Sequence, residues 1–154
     1  MTRQDAGFEG PTGEIGALAI AQQEAVFRDT FPGMLGVHML EARAGYARGT
    51  LEVGPTVRHP GGFAHGGALA GFGDTVAAWA TFPALVRGQD FTTIEFKANF
   101  LSGVREGRLV AEASQVHKGT RTMVLEVKIA TDDDAHKPVA LMLVTQAIIP
   151  ARTG

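Results

Sequence analysis

The spacing of hydrophobic and polar residues changes period several times along the chain. From Glu14 to Phe31, Ile15, Leu18, Ala19, Ala25, Val26 and Phe27 recur at helical spacing, which predicts a first helix stopped by Pro32-Gly33. Leu35 to Ala44 and Tyr46 to Val53 read as two strands joined at Gly45, with Thr50, Leu51 and Val53 favouring the extended form. Gly54 to Ala64 holds Pro55, Pro60, Gly61 and Gly62 and reads as a loop. Gly66 to Phe82, GGALAGFGDTVAAWATF, has the length and composition of a helix of four or five turns, limited by Pro83. Beyond it the period becomes two. Phe91 to Leu101 carries Ile94, Phe96, Ala98 and Phe100 at alternate positions. Arg108 to Val116, Thr122 to Ala130 and Val139 to Ile149 follow, separated by turns at Gly103 to Gly107, at Gly119 and at Asp132 to Lys137. The order of helix, two strands, long helix and four strands predicts an α+β fold with a largely antiparallel sheet.

Composition narrows the class. With 154 residues and 45% hydrophobic content the chain suits one domain, expected over 14–150, after a polar, Gly-rich tail over 1–13. That tail lacks the basic start and apolar core of a signal peptide, so a soluble cytoplasmic protein is expected, without a membrane span. The net charge is -2 with no run of Lys or Arg, which speaks against nucleic acid as a partner but leaves acidic small molecules open. The absence of cysteine excludes disulfides, zinc-thiolate sites and cysteine nucleophiles. The five histidines (His38, His59, His65, His117 and His136) form no pair at helical i, i+4 spacing, so no metal is expected. There is neither a phosphate-binding Gly-rich loop ending in Lys-Ser or Lys-Thr nor a Gly-x-Ser-x-Gly elbow.

One residue does not fit its surroundings. The Gly66–Phe82 segment is apolar almost all the way round, with Asp74, Thr75 and Thr81 as its polar side chains, and a helix apolar on every side is buried. It is barely long enough for a membrane span and carries an aspartate near its middle. An unpaired carboxylate in an apolar site costs several kcal/mol or is forced to hold its proton. Asp74 is therefore either structural, satisfied by backbone or a cation, or a catalytic base in a cleft. His65-Gly66-Gly67 opens the same helix. Two glycines there weaken the helix but allow close approach to backbone N–H groups, which carry partial positive charge at a helix start.

Segment His59 to Asp74, HPGGFAHGGALAGFGD, resembles the His-Gly-Gly, six residues, Asp signature of hotdog-fold acyl-CoA thioesterases, in particular the phenylacetate-pathway (PaaI-like) branch of the 4-hydroxybenzoyl-CoA thioesterase superfamily. Thr92 to Val127 is similar to that family's third to fifth strands, so the resemblance covers roughly residues 35–149. It implies a sheet wrapped around a long central helix, and hydrolysis of an acyl-CoA to free acid and CoA. No separate cofactor is implied, CoA being part of the substrate. The implied roles are Gly66 N–H as oxyanion donor, Asp74 as general base or as nucleophile, Gly67 as the gap that admits the acyl group, His65 as a loop-shaping residue and Thr93 as the hydroxyl that orients water.

That mechanism has a geometric consequence. Gly66 and Asp74 are eight residues apart, which on one helix separates them by about 12 Å along the axis. A donor and a base acting on one carbonyl both lie within about 3 Å of the reacting atoms. If both roles hold, each site takes Gly66 from one chain and Asp74 from another, so a homodimer, or a tetramer built from dimers, is expected, with Gly71 and Gly73 letting the two helices come close. Two positions depart from the family pattern: His59 stands where relatives carry Asn or Gln, and Ala78 where some carry Thr. Lys118 and Arg121, with Arg105, are the candidates for CoA phosphates. Phe63, Phe72 and Trp79 hint at room for a flat acyl ring. A hotdog hydratase or dehydratase, with His59 or His65 beside Asp74, and a non-catalytic acyl-CoA binding module are the competing readings.

Overall fold

The computed structural model describes Ile20, Glu24, Ala25 and residues 27–151. The expected tail and Ile15, Leu18, Ala19 and Val26 of the expected first helix lie outside these residues. Ile20, Glu24, Ala25 and Phe27 are helical, and the chain turns at Arg28 instead of continuing to Phe31. Pro32 does not stop a helix. It sits in the first turn of a new one, α1 (Phe31–Leu35), where its missing N–H leaves no bond unmade.

Strands β1 (Val37–Arg43) and β2 (Tyr46–Glu52) form the expected hairpin, turning through Gly45 at φ 78°. The turn is tied to the central helix, because the Gly45 N–H donates to the Ala80 carbonyl at 2.9 Å. Helix α2 (Gly66–Thr81) runs to the tight turn Phe82–Ala84, which absorbs Pro83. Strands β3 (Gln89–Phe100), β4 (Arg108–Lys118), β5 (Thr122–Thr131) and β6 (Pro138–Pro150) complete one antiparallel sheet in the order β1-β2-β4-β5-β6-β3. Helix α2 packs against all six strands, which requires the sheet to curl around it. This is the hotdog arrangement, α+β as expected.

The core lies between α2 and the inner face of the sheet. Leu69, Phe72, Val76 and Ala80 of α2 meet Leu51, Leu109, Leu125, Met142 and Val144, all buried. Small residues bring the sheet close to the helix: a Cβ on Gly73 would stand 2.3 Å from Met142 Sδ. A Cβ on Gly71 would stand 2.6 Å from the Phe31 ring. Both glycines thus accommodate side chains of their own chain. The two threonines of α2 satisfy themselves, Thr75 Oγ1 donating to Gly71 O at 2.7 Å and Thr81 Oγ1 to Ala77 O at 3.1 Å.

Strand β3 breaks the simple alternation read from its sequence. The register against β6 shifts between Thr93 and Glu95, so Ile94 is bulged out and 59% exposed. The bulge puts Thr93, opposite Gln146, on the same inner face as Phe96, opposite Val144. Without it, Thr93 and Phe96 would point to opposite faces.

Removing the largest side chain at the helix–sheet contact tests this packing. Phe72→Ala should lower the unfolding free energy by about 3–5 kcal/mol, read as a drop in the urea midpoint with little change in slope.

Candidate active site

Asp74 is held at mid-helix on the face that includes Gly71 and Ala78, one turn before and after it, with Thr75 alongside. That face meets the sheet at β3, through Thr93. It forms one wall of a cavity of about 400 Å³ whose other walls are Phe27, Phe31, Pro32, Trp79, Phe82, Phe91, Thr92 and Thr93. Five of these are aromatic, drawn from α1 and the segment before it, from α2 and its end, and from β3. Trp79 and Phe27 meet edge to face at 6.2 Å, and Phe82 and Phe91 at 6.4 Å, so the rings brace one another.

Across the cavity wall, Thr93 Oγ1 donates to Asp74 Oδ1 at 2.8 Å. Burial raises the Asp74 carboxyl above its ordinary value, and the Thr93 hydrogen bond pulls it partly back. Thr93 is in turn met by Gln146, fully buried on β6, whose Nε2 lies 3.5 Å from Thr93 Oγ1.

The second cluster sits at the start of α2. His65 caps the helix, its Nδ1 accepting the Gly67 N–H at 2.9 Å, while the His65 N–H donates to Val57 O at 2.8 Å. The Gly66 N–H meets no acceptor among the described residues. Phe100 of β3 covers Gly66, since a Cβ there would come within 3.0 Å of its ring. The loop ahead is fixed by its own contacts. His59 Nδ1 accepts the Gly61 N–H at 3.0 Å, and Arg105 stacks on Phe63 at 3.8 Å while donating to Gly61 O at 3.2 Å.

Residues 61–136 match the thioesterase superfamily. The chain is 31% identical over 120 residues to the putative esterase ComA2 of Bacillus subtilis, covering 75% of this chain and 90% of that protein. The chain belongs to the thioesterase superfamily. A 1,4-dihydroxy-2-naphthoyl-CoA hydrolase from Listeria monocytogenes is 27% identical over 114 residues, covering 74% of this chain and 91% of that one. Among solved structures, a Pseudomonas aeruginosa thioesterase superposes with a TM-score of 0.80 at 25% identity, over 86% of this chain and 94% of that one. By class, then, this member of the superfamily is a thioester hydrolase.

Within the thioesterase domain the expected site residues fall into two groups. Asp74, Thr93 and Ala78 line the aromatic cavity. His59, Phe63, His65, Gly66 and Gly67 cluster at the start of α2 and are not among its lining residues. Phe72 is fully buried in the core and offers no wall to a ligand. Lys118 extends from the end of β4 to donate to Ala84 O at 2.5 Å, just past the C-terminal end of α2. Arg121 is exposed in the β4–β5 turn. Sequence reasoning did not single out Gln146, Phe91 or Phe100. A glutamine in alternation with Met142, Val144 and Ile148 was the available signal for Gln146.

The raised Asp74 value has a consequence for stability. The folded chain holds this proton more tightly than the unfolded chain does. The stabilisation is complete below the ordinary value of 3.8 and is lost as pH rises through the folded-state value. Asp74→Asn should therefore melt above wild type at neutral pH, with the gap closing on acidification. A gap that stays constant from neutral to acidic pH in thermal scans would refute the shift.

Proposed function

We propose that this thioesterase hydrolyses a small aryl acyl-CoA, with Asp74 acting on water or on the thioester carbon and the Gly66 N–H of a second subunit holding the oxyanion. The observation that carries this reading is Asp74 itself, hydrogen-bonded to Thr93 in the wall of a cavity of about 400 Å³ rich in aromatic rings. Burial holds the carboxyl nearer to neutrality than a surface aspartate, which suits a group that must accept and return a proton. The aromatic walls favour a flat acyl group, and the similar Listeria protein is named for a naphthoyl-CoA substrate. For the CoA phosphates, Lys118 at the end of β4 and Arg121 in the β4–β5 turn stay the proposed partners.

Two features support sharing the site between subunits. The free Gly66 N–H and the Asp74 carboxylate lie on one rigid helix about 12 Å apart, too far to act on one carbonyl. The chain also presents an unpaired sheet edge at β3, bearing exposed Ile94, Phe96 and Phe100, with exposed Leu101 just past its end. An apolar edge strand of this length calls for cover. A twofold partner set edge to edge on β3 would bring its own Gly66, beside Phe100, toward this chain's Asp74.

The dehydratase reading needs a histidine beside the carboxylate. His59 and His65 instead spend their Nδ1 atoms on backbone N–H groups outside the cavity that holds Asp74.

Thiol release from a panel of aromatic and aliphatic acyl-CoAs tests the proposal. Aryl thioesters should be the better substrates, and Asp74→Asn should reduce kcat by about 10²–10⁴-fold. Binding of CoA esters without hydrolysis by wild type would refute it. Sharing of the site has its own test. Gly66→Pro removes the N–H at a helix position that tolerates proline. Each single variant should be nearly inactive. Mixed dimers of Gly66→Pro with Asp74→Asn should recover about a quarter of wild-type activity, since half the dimers are mixed and each keeps one intact site. A silent mixture would place both groups in one chain.

A further inference from the structure

Gln146 is the one fully buried side-chain amide among the described residues, with 0% exposure, and no feature of the fold requires it. Its neighbours along the inner face of β6, Met142 and Val144, are apolar and buried, as is Met123 opposite it on β5. A buried amide whose groups go unmatched costs about 1–3 kcal/mol. An apolar residue of the same volume would fill the space without that cost. Its Oε1 has no partner among the described residues, so the energetics of the core alone do not explain it. What the side chain does contact is Thr93, directly opposite on β3, with Nε2 3.5 Å from Oγ1.

The chemistry of the Thr93 hydroxyl gives that contact meaning. The hydroxyl carries one proton and two lone pairs. Met by an amide N–H on one side, it can only accept there, and its single proton is then free to go to Asp74 Oδ1, 2.8 Å away. We propose that Gln146 is a positioning residue, whose buried amide commits the Thr93 proton to Asp74 and so holds the carboxylate in one orientation in the cavity wall. Gln146 touches no substrate and acts through Thr93. At 3.5 Å the contact is long, and hydrogen bonds of this kind tighten when substrate closes the site. The bulge at Ile94 is part of the same device, because it turns Thr93 toward both partners. The function assigned to this link rests on the thioesterase reading of Asp74, but the link itself can be measured without any substrate.

The experiment is a titration of the Asp74 side-chain carboxyl by ¹³C NMR in the unliganded protein. Wild type is compared with Gln146→Met, Thr93→Val and the double variant. Methionine keeps the volume and removes the donor. Since the Thr93 hydrogen bond lowers the Asp74 titration, both single variants should move the midpoint upward. The double variant should move it no further than Thr93→Val alone, because both act through one bond. The acid limb of kcat/KM should follow the same shifts. An unmoved midpoint in folded Gln146→Met, or shifts that add in the double variant, would overturn the proposal. Should Gln146→Met fail to fold, the side-chain amide resonance of Gln146 in wild type decides. It should titrate together with Asp74, and an amide signal indifferent to that titration overturns the link. Titration shifts as expected in a protein that hydrolyses no thioester would leave the link standing and sink the proposed function alone.

Discussion

The Asp74 carboxylate is set in a helix whose other faces are apolar, and Thr93 supplies its side-chain hydrogen bond from a different element. The two threonines of the helix back-bond to carbonyls one turn behind and need nothing else. A carboxylate has only acceptors and cannot do the same. Its partial burial disfavours the charged form, and the one hydrogen bond from Thr93 favours it. The balance falls short, which is the physical meaning of the raised Asp74 titration. The β3 bulge, the β3–β6 register and the open stripe on α2 are the parts of the fold that bring this donor within reach.

A single straight helix also holds the two groups of the proposed mechanism apart. Its N-terminal turn leaves the Gly66 N–H unsatisfied, with His65 closing the neighbouring donor of Gly67, while the carboxylate sits two turns on. Neither can move toward the other without breaking α2, which touches every strand of the sheet. In the proposed mechanism a second molecule completes each site, and the uncovered β3 edge, close to Gly66 through Phe100, is the surface on which it would dock.

The cavity beside Asp74 is assembled from residues distant in the chain. Phe27, Phe31, Trp79, Phe82 and Phe91 span more than sixty positions, and only the docking of α1 and β3 on α2 brings their rings together. Aromatic composition along the sequence pointed to a flat acyl group, but through partly different residues. Phe72 belongs to the core and Phe63 stacks under Arg105 at the far end of the helix. Lys118, expected to meet phosphates, also secures the turn that ends α2.

Local pattern was enough for much of the rest. The long apolar helix, its His-Gly-Gly start, the misplaced Asp74 and four of the six strands stand in the sequence because helix and strand periods are properties of short stretches. The expected hairpin about Gly45 was equally local. Three things were not. Pro32 opens α1 instead of closing the helix before it, because a proline is compatible with both positions and packing chooses between them. The bulge at Ile94 reverses the facing of one half of β3 relative to the other, and a bulge has no reliable signature in a run of alternating residues. The meeting of Asp74, Thr93 and Gln146, which stand nineteen and fifty-three positions apart in turn, exists only once β3 is paired with β6 and both are wrapped on α2. The sequence by itself determined which groups could do chemistry, since that follows from residue type and local period. Tertiary structure decided which of them meet, because contact depends on register and on sheet curvature that no short stretch encodes.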